Sequence, residues 1–165
     1  MLSGPAERTS CVVPVAAHHS PSDLDLEVSH RVSAAGQRYT ANRQAVVRIL
    51  AAADRPLTTA EVVSAGEGLA QSSVYRNLSV LEAAGVVLRI AGGDEFTRFE
   101  LAEDLAGHHH HLICTECGRV DDFTVPAKLE QSLESALAKA VSGTGFRSSA
   151  HRLDLMGTCE ACSPA

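Results

Sequence analysis

The sequence predicts an α+β protein, with an N-terminal winged helix-turn-helix domain followed by a small α/β dimerisation domain. Three observations carry this prediction. Apolar residues recur at helical spacing between Thr40 and Gly85. Two alternating stretches, VVLRI at 86–90 and FTRFEL at 96–101, are joined by AGGDE and read as a hairpin. Beyond them a strand, strand, helix, strand pattern surrounds the tract GHHHHLICTECG at 107–118. The expected divisions are a disordered tail over 1–29, the winged-helix domain over 30–102, a hinge over 103–107 and a metal-binding dimerisation domain over 108–165.

The tail is read from Gly4, Pro5, Pro14, Ser20, Pro21 and Ser22, which punctuate it without periodicity. Its His18, His19 and Cys11 have no preorganised frame in which to hold a metal. The first helix starts at Thr40 as N-cap, carries Ala45, Val46, Ile49, Leu50 and Ala53 on one face, and is ended by Pro56. A short helix follows over Thr59–Ala65 with Thr59 as cap. QSSVYRNLSVLEAAG at 71–85 forms the third, with Val74, Leu78, Leu81 and Ala84 inward and Gly85 as its stop. In a winged helix the third helix enters the major groove. Its polar face offers Ser72, Ser73, Tyr75, Arg76, Asn77 and Ser79 to phosphates and base edges.

In the second half, RVDDFTV at 119–125 reads as a strand and Pro126 as the first residue of a helix with a Leu129, Leu133, Leu137, Val141 stripe. FRSSAHRLDLMG at 146–157 alternates, placing His151, Leu153 and Leu155 on one face. So few layers bury themselves poorly, which predicts a homodimer.

Composition narrows the setting. The 165 residues are 45% hydrophobic and 21% charged, and no apolar run approaches the roughly 20 residues of a membrane span. With no secretory signal pattern at the N-terminus, the expected location is cytoplasmic, and there CxxC pairs hold metal more often than disulfides. The formal charge of −6 is unevenly placed. Arg31, Arg38, Arg43, Arg48 and Arg55 face only Asp54 between positions 31 and 55, whereas acids gather later. A basic module able to meet nucleic acid thus precedes an acidic one.

The chemistry concentrates after position 100. Cys114-x-x-Cys117 and Cys159-x-x-Cys162 make two hooks whose four thiolates suit a closed, structural Zn²⁺ site. If 108–113 is a strand, His108 and His110 share one face and His109 and His111 the other, so one run supplies two sites. Glu100, Asp104, Glu130 and His151 are further ligands within reach.

Taken in order, AGQRYTANRQAVVRIL, SSVYRNLSVLEAAGVV, RFEL, HHHHLICTECGRVDDF and the closing H…GTCEAC resemble the ferric uptake regulator (Fur) family of metal-dependent bacterial transcription factors, over about residues 30–162. The resemblance implies a repressor, not an enzyme. It would control metal-homeostasis genes by binding a double-stranded inverted-repeat operator as a dimer when regulatory metal is bound. It implies structural zinc on Cys114, Cys117, Cys159 and Cys162; a dimerisation-domain metal on His108, His110, Glu130 and His151; and a hinge metal on Glu100, His109 and His111. Tyr75 and Arg76 match major-groove readers, Ser73 lies in the same motif, and Arg38 sits where a basic residue often meets the minor groove.

The sequence also departs from the family pattern. Pro56 and Leu57 stand where many relatives place a hinge histidine, and Leu88 and the region of Asp104 stand where the zinc-sensing branch often has Asp and Cys. Asp104, Glu103, Asp94 or water is then expected to complete the hinge site. Ala70 replaces a capping serine, leaving Gln71 or Ser72 to cap the recognition helix. Fe²⁺ and Zn²⁺ lead as regulatory metals, ahead of Ni²⁺ and Mn²⁺. The alternatives are a peroxide-sensing repressor, in which Fe²⁺ drives oxidation of a histidine ligand, and a zinc enzyme or metal-storage protein.

Overall fold

The computed structural model describes residues 20–92 and 95–163. Its first element departs from the sequence expectation: Pro21–Ala34 is a helix, α1, within the span read partly as tail. Ser20 accepts a hydrogen bond from the Asp23 N–H as N-cap, and Pro21 occupies the first turn. The Ser-Pro pair that reads as loop punctuation is here a helix start. Leu24, Val28 and Val32, spaced by four, are buried on one face. Asp25 accepts from Tyr39 Oη at 2.8 Å, Gln44 Nε2 at 2.8 Å and Arg48 Nη2 at 3.0 Å, tying α1 to the next helix. Residues 1–19 lie outside the described part.

Helix α2 (Ala41–Ala52) buries Val46, Val47 and Leu50 and ends before Pro56. Strand β1 (Leu57–Thr58) leads into α3 (Thr59–Ala65), whose cap is Thr58 and not Thr59. Thr58 and Glu61 form a reciprocal capping box, so the sequence signal was the T-x-x-E spacing one residue earlier. Helix α4 (Gln71–Ala83) has Ala70 as N-cap with no side-chain capping bond, and neither Gln71 nor Ser72 replaces the expected serine. Gly85, at φ 68°, supplies the left-handed turn that ends it.

Strands β2 (Val87–Ala91) and β3 (Thr97–Leu101) form the expected hairpin, and β1 adds to β3 to give the order β1-β3-β2. The helices and this sheet share one core that includes Val28, Val46, Val62, Leu78, Leu81 and Phe99. A four-residue helix, α5 (Glu103–Ala106), fills most of the hinge and stops at Gly107, φ 101°.

The second domain is a three-stranded sheet, order β5-β4-β6, of β4 (His110–Cys114), β5 (Val120–Phe123) and β6 (Asp154–Gly157), with α6 (Ala127–Val141) between β5 and β6. Strand β4 pairs antiparallel with β5 and parallel with β6. β6 is shorter than the alternation over 146–157 suggests, so His151 and Leu153 precede it. Pro126 is the N-cap of α6, not its first helical residue. Helix α6 buries none of its residues in the single chain, and Leu129 and Leu137 stand open. Ile90 of the wing packs with Ile113 and Val120, joining the two domains.

Candidate metal centre

Three ligand clusters form, and β4 with its approach segment contributes to each. Among the described residues these are Cys114, Cys117, Cys159 and Cys162; His108, His110, Glu130 and His151; and Glu100, His109, His111 and Asp122. In every cluster the ligand atoms lie within 4.8 Å of one another.

The cysteine cluster follows from the parallel pairing of Cys114 with Gly157, which brings both hooks to one end of the sheet. Gly118, at φ 70°, turns the first hook, and the Cys162 N–H closes the second on the Cys159 carbonyl at 3.0 Å. The Cys159 N–H donates to Cys114 Sγ at 3.3 Å, and Cys117 and Cys159 Sγ lie 3.7 Å apart with the cysteines reduced. Backbone N–H bonds from Cys117 and Cys159 bring the Cys114 thiol down to about 6. The Cys117 and Cys159 sulfurs, which hold the Cys162 proton, push that thiol up to about 12. Four convergent sulfurs that resist full deprotonation together suit a divalent soft or borderline cation.

The second cluster is centred on the Glu130 carboxylate in the first turn of α6. His108 Nε2 lies 3.1 Å from Oε1, His110 Nε2 3.0 Å from Oε2, and His151 Nε2 2.9 Å from Oε1. His151 Nε2 is buried without a well-aligned hydrogen bond, as expected of a nitrogen aimed at a common centre. His108 Nδ1 is hydrogen-bonded to Glu103 of α5.

The third cluster spans the domain boundary. Glu100 comes from β3 of the wing; His109 and His111 come from the other domain. One carboxylate oxygen, Glu100 Oε2, meets His109 Nε2 at 3.2 Å and His111 Nε2 at 3.1 Å. The opposite ring nitrogens are already engaged, His109 Nδ1 with the Gly107 carbonyl at 2.8 Å and His111 Nδ1 with Asp154 Oδ1 at 3.1 Å. Such outer contacts fix the ring and leave Nε2 for a metal. Asp122 completes the group, with Oδ2 3.9 Å from His109 Nε2 and Oδ1 4.0 Å from His111 Nε2. Asp122 Oδ1 is buried and unpartnered.

Electrostatics without metal are those of a crowded site. Burial would lower the His109 pKa, but Glu100 and the Gly107 carbonyl raise it to about 9, and His111 is raised for like reasons by Glu100 and Asp154. Burial raises Glu100, yet its two histidine bonds hold it below the usual carboxylate range. Burial, with Glu100 nearby, lifts Asp122 to about 6 despite both histidines. Two buried carboxylates then share a site that protons on imidazole neutralise, and a divalent cation would neutralise it better.

Asp122 is the residue the sequence reading missed. Its Cα partner in the β4–β5 ladder is His111, so both side chains share a face. Of the candidates for the fourth hinge position, Asp104 pairs with Arg31 and Glu103 with His108. Asp94 lies outside the described residues.

On α4, Ser72, Tyr75, Arg76 and Ser79 are exposed, with Arg76 Nε donating to the Ser72 carbonyl at 3.1 Å. Ser73 is half-buried and accepts from Asn42 Nδ2 at 3.4 Å and Asn77 Nδ2 at 3.3 Å. Asn77 is buried and leaves the polar face on which the sequence placed it. Arg38 is exposed in the loop between α1 and α2.

A winged helix whose wing shares a buried ligand set with a second domain defines a DNA-binding regulator under metal control. The chain matches the ferric uptake regulator family over residues 34–156 and belongs to that family. It is a metal-responsive transcriptional repressor and not an enzyme, which sets aside the zinc-enzyme and metal-storage alternative. The peroxide operon regulator of Bacillus subtilis (strain 168) is 33% identical over 132 residues, 78% of this chain and 86% of that one. The peroxide-responsive repressor PerR of Staphylococcus epidermidis is 29% identical over 146 residues, 84% and 92% of the two chains. Among solved structures, the Pseudomonas aeruginosa ferric uptake regulator with manganese has a TM-score of 0.62 at 28% identity, covering 79% of this chain and 96% of that one. The Helicobacter pylori regulator, at 21% identity, shares the fold with a TM-score of 0.71 over 91% and 98%.

Proposed function

We propose that this chain is a homodimeric repressor that grips an inverted-repeat operator when a divalent metal occupies Glu100, His109, His111 and Asp122. The observation that carries the reading is the single Glu100 oxygen facing both histidine Nε2 atoms across the domain boundary. Glu100 rides on the wing while His109 and His111 are held by Gly107 and Asp154. Replacing their shared protons with a cation therefore fixes the angle of the DNA-binding domain, and a metal that prefers one angle shifts the population towards it. Two imidazoles and two carboxylates, with no thiolate, suit Fe²⁺ or Mn²⁺ at least as well as Zn²⁺. The four cysteines fit structural Zn²⁺, and His108, His110, Glu130 and His151 fit a further divalent ion. The open stripe of α6 and the edge strand β6 supply the surface for a second copy, and Arg38, Ser73, Tyr75 and Arg76 face the operator. The site of action is the cytoplasm.

The test is fluorescence anisotropy of an operator-bearing duplex with the zinc-filled protein, at buffered free Fe²⁺, Mn²⁺ or Zn²⁺. Affinity should rise with one of these metals, and should not rise once His109 or His111 is Ala. Equal affinity with and without every metal would refute the reading.

A second reading, peroxide sensing at the same cluster, is favoured by Asp122 as an added aspartate ligand and by the two peroxide regulators among the relatives. Hydrogen peroxide would give one oxygen to an imidazole carbon and leave as water when Fe²⁺ is bound. Mass spectrometry of the Fe²⁺ protein after peroxide should find one added oxygen on His109 or His111; unmodified peptides would exclude this reading.

A further inference from the structure

The short helix α5 carries two consecutive acids that point to different partners. Glu103 is hydrogen-bonded to His108 Nδ1, the nitrogen opposite the one that faces Glu130. Asp104 takes the fork of Arg31, with Oδ1 3.3 Å from Nη1 and Oδ2 2.5 Å from Nη2. The same guanidinium donates from Nη1 to the Gly85 carbonyl at 3.1 Å and from Nε to Glu27 at 2.7 Å. Gly85 is the turn that ends the recognition helix α4, and Arg31 belongs to α1, which is packed into the winged-helix core. A planar fork with fixed donors transmits orientation better than a single charge does. At its other end α5 stops at Gly107, whose φ of 101° and ψ of 156° fix how the chain turns into the histidine strand. The Gly107 N–H is itself bonded to the Glu103 carbonyl at 2.6 Å.

From this juxtaposition we infer that α5 couples the His108, His110, Glu130 and His151 cluster to the recognition helix, with Glu103 positioning His108 and the Asp104–Arg31–Gly85 contact carrying that position to the end of α4. The inference rests on the proposed metal-dependent DNA binding. It adds that the dimerisation-domain cluster has its own line to the DNA, separate from Glu100. With Nδ1 engaged by Glu103, Nε2 is the ring atom left for a ligand, so a cation there draws His108 towards Glu130 and α5 with it. Occupancy thus favours one placement of Asp104, and through Arg31 one placement of the α4 terminus.

The experiment is a double-mutant cycle on the full chain with its zinc retained and Co²⁺ as probe, whose visible absorption reports loading directly. Wild type must first show Co²⁺-dependent operator binding; if it does not, the function proposed above fails and not this coupling alone. In that background His151→Ala, which disables the second cluster, should lower operator affinity about five- to tenfold with the Glu100 cluster saturated. With Arg31→Gln or Asp104→Asn already present, His151→Ala should have little further effect, because the link is broken. Glu103→Gln should weaken Co²⁺ loading of the second cluster by about 10- to 100-fold and leave loading at Glu100 unchanged. Amide exchange adds a readout that general destabilisation would not mimic: loading the second cluster should slow exchange around Gly85 and Val86 in wild type but not in Arg31→Gln. Should Arg31→Gln fail to fold, Asp104→Asn breaks the contact from its exposed end, where the side chain is 64% accessible. Additive effects of His151→Ala and Asp104→Asn, or equal protection at Gly85 in all proteins, would overturn the inference.

Discussion

Replacing Glu100 by Gln keeps the side chain's shape and removes its charge from a nearly closed site. Loss of an outer-shell partner weakens metal binding by about 10- to 100-fold, so loss of a direct ligand should reach at least the top of that range, ~2.7 kcal/mol. An opposing effect has similar size. Glu100 is the main reason His109 stays protonated up to about 9, and that proton must leave before Nε2 can bind a cation. At about pH 7.5, some 1.5 units lower, its release costs about 2 kcal/mol. Gln removes both the ligand and this competition. Near neutrality the variant should therefore trail wild type by less than about tenfold, and as pH rises through 9, where the proton leaves, the gap should widen towards about 100-fold. Wild-type affinity should climb by at least about tenfold per pH unit below 9, since the metal displaces the His109 proton and that of the likewise raised His111, whereas the variant should depend on pH less steeply. Calorimetric titration with Mn²⁺ at a series of pH values, in a His151→Ala background that silences the second cluster, measures both slopes. Parallel slopes, or equal affinities at pH 9, would refute Glu100 as a ligand.

Three other outcomes follow from the same geometry. Glu61 is raised by burial but held at about 2 by Arg55 and by the Thr58 N–H and hydroxyl, well below its ordinary 4.5. A depressed folded pKa means stability that is present above 4.5 and lost as pH falls towards 2, so acid unfolding followed by circular dichroism should be less pH-dependent in Glu61→Gln; an unchanged acid limb would contradict the capping box. Val28→Ala should cost about 2 kcal/mol and lower the melting temperature by several degrees, because Val28 is fully buried on α1; a mobile tail would give no change. Cys159→Ser should lower bound zinc per chain, read by plasma mass spectrometry, and speed amide exchange across β4 and β6, which the hook holds together. Full zinc retention with unchanged exchange would remove the structural role of that cluster.

The histidine partition was legible because strand alternation has a period of two and needs no tertiary knowledge. The wing, the third helix and its glycine stop were legible for the same local reason. What escaped depends on longer range. Asp122 joins His109 and His111 only through the β4–β5 register, and that register is set by the turn through Cys117 and Gly118, which alternation along one strand does not specify. Helix α1 was hidden by Ser20-Pro21, whose chemistry serves a loop and a helix start equally, so the Leu24, Val28, Val32 spacing had to decide. The shortened β6 leaves His151 off the ladder, free to meet Glu130 from a loop rather than from the face its alternation implied.

One strand feeding three ligand sets restricts how the molecule can move. His109 and His111 are tied by Gly107 and Asp154, and the far end of β4 is tied to β6 by the cysteine hooks, so β4 acts as a fixed frame. Of the third cluster's ligands only Glu100 belongs to the other domain, and it sits three residues before α5. The clasp of Ile90 with Ile113 and Val120 packs the wing against this frame. Full burial of one isoleucine stabilises by about 1.5–3 kcal/mol, comparable with a typical allosteric coupling of about 1–3 kcal/mol. A metal bridging Glu100 to β4 therefore need not assemble the interface. On the proposed reading it would have only to narrow the range of wing angles that the clasp permits, a task that one carboxylate on the wing could perform.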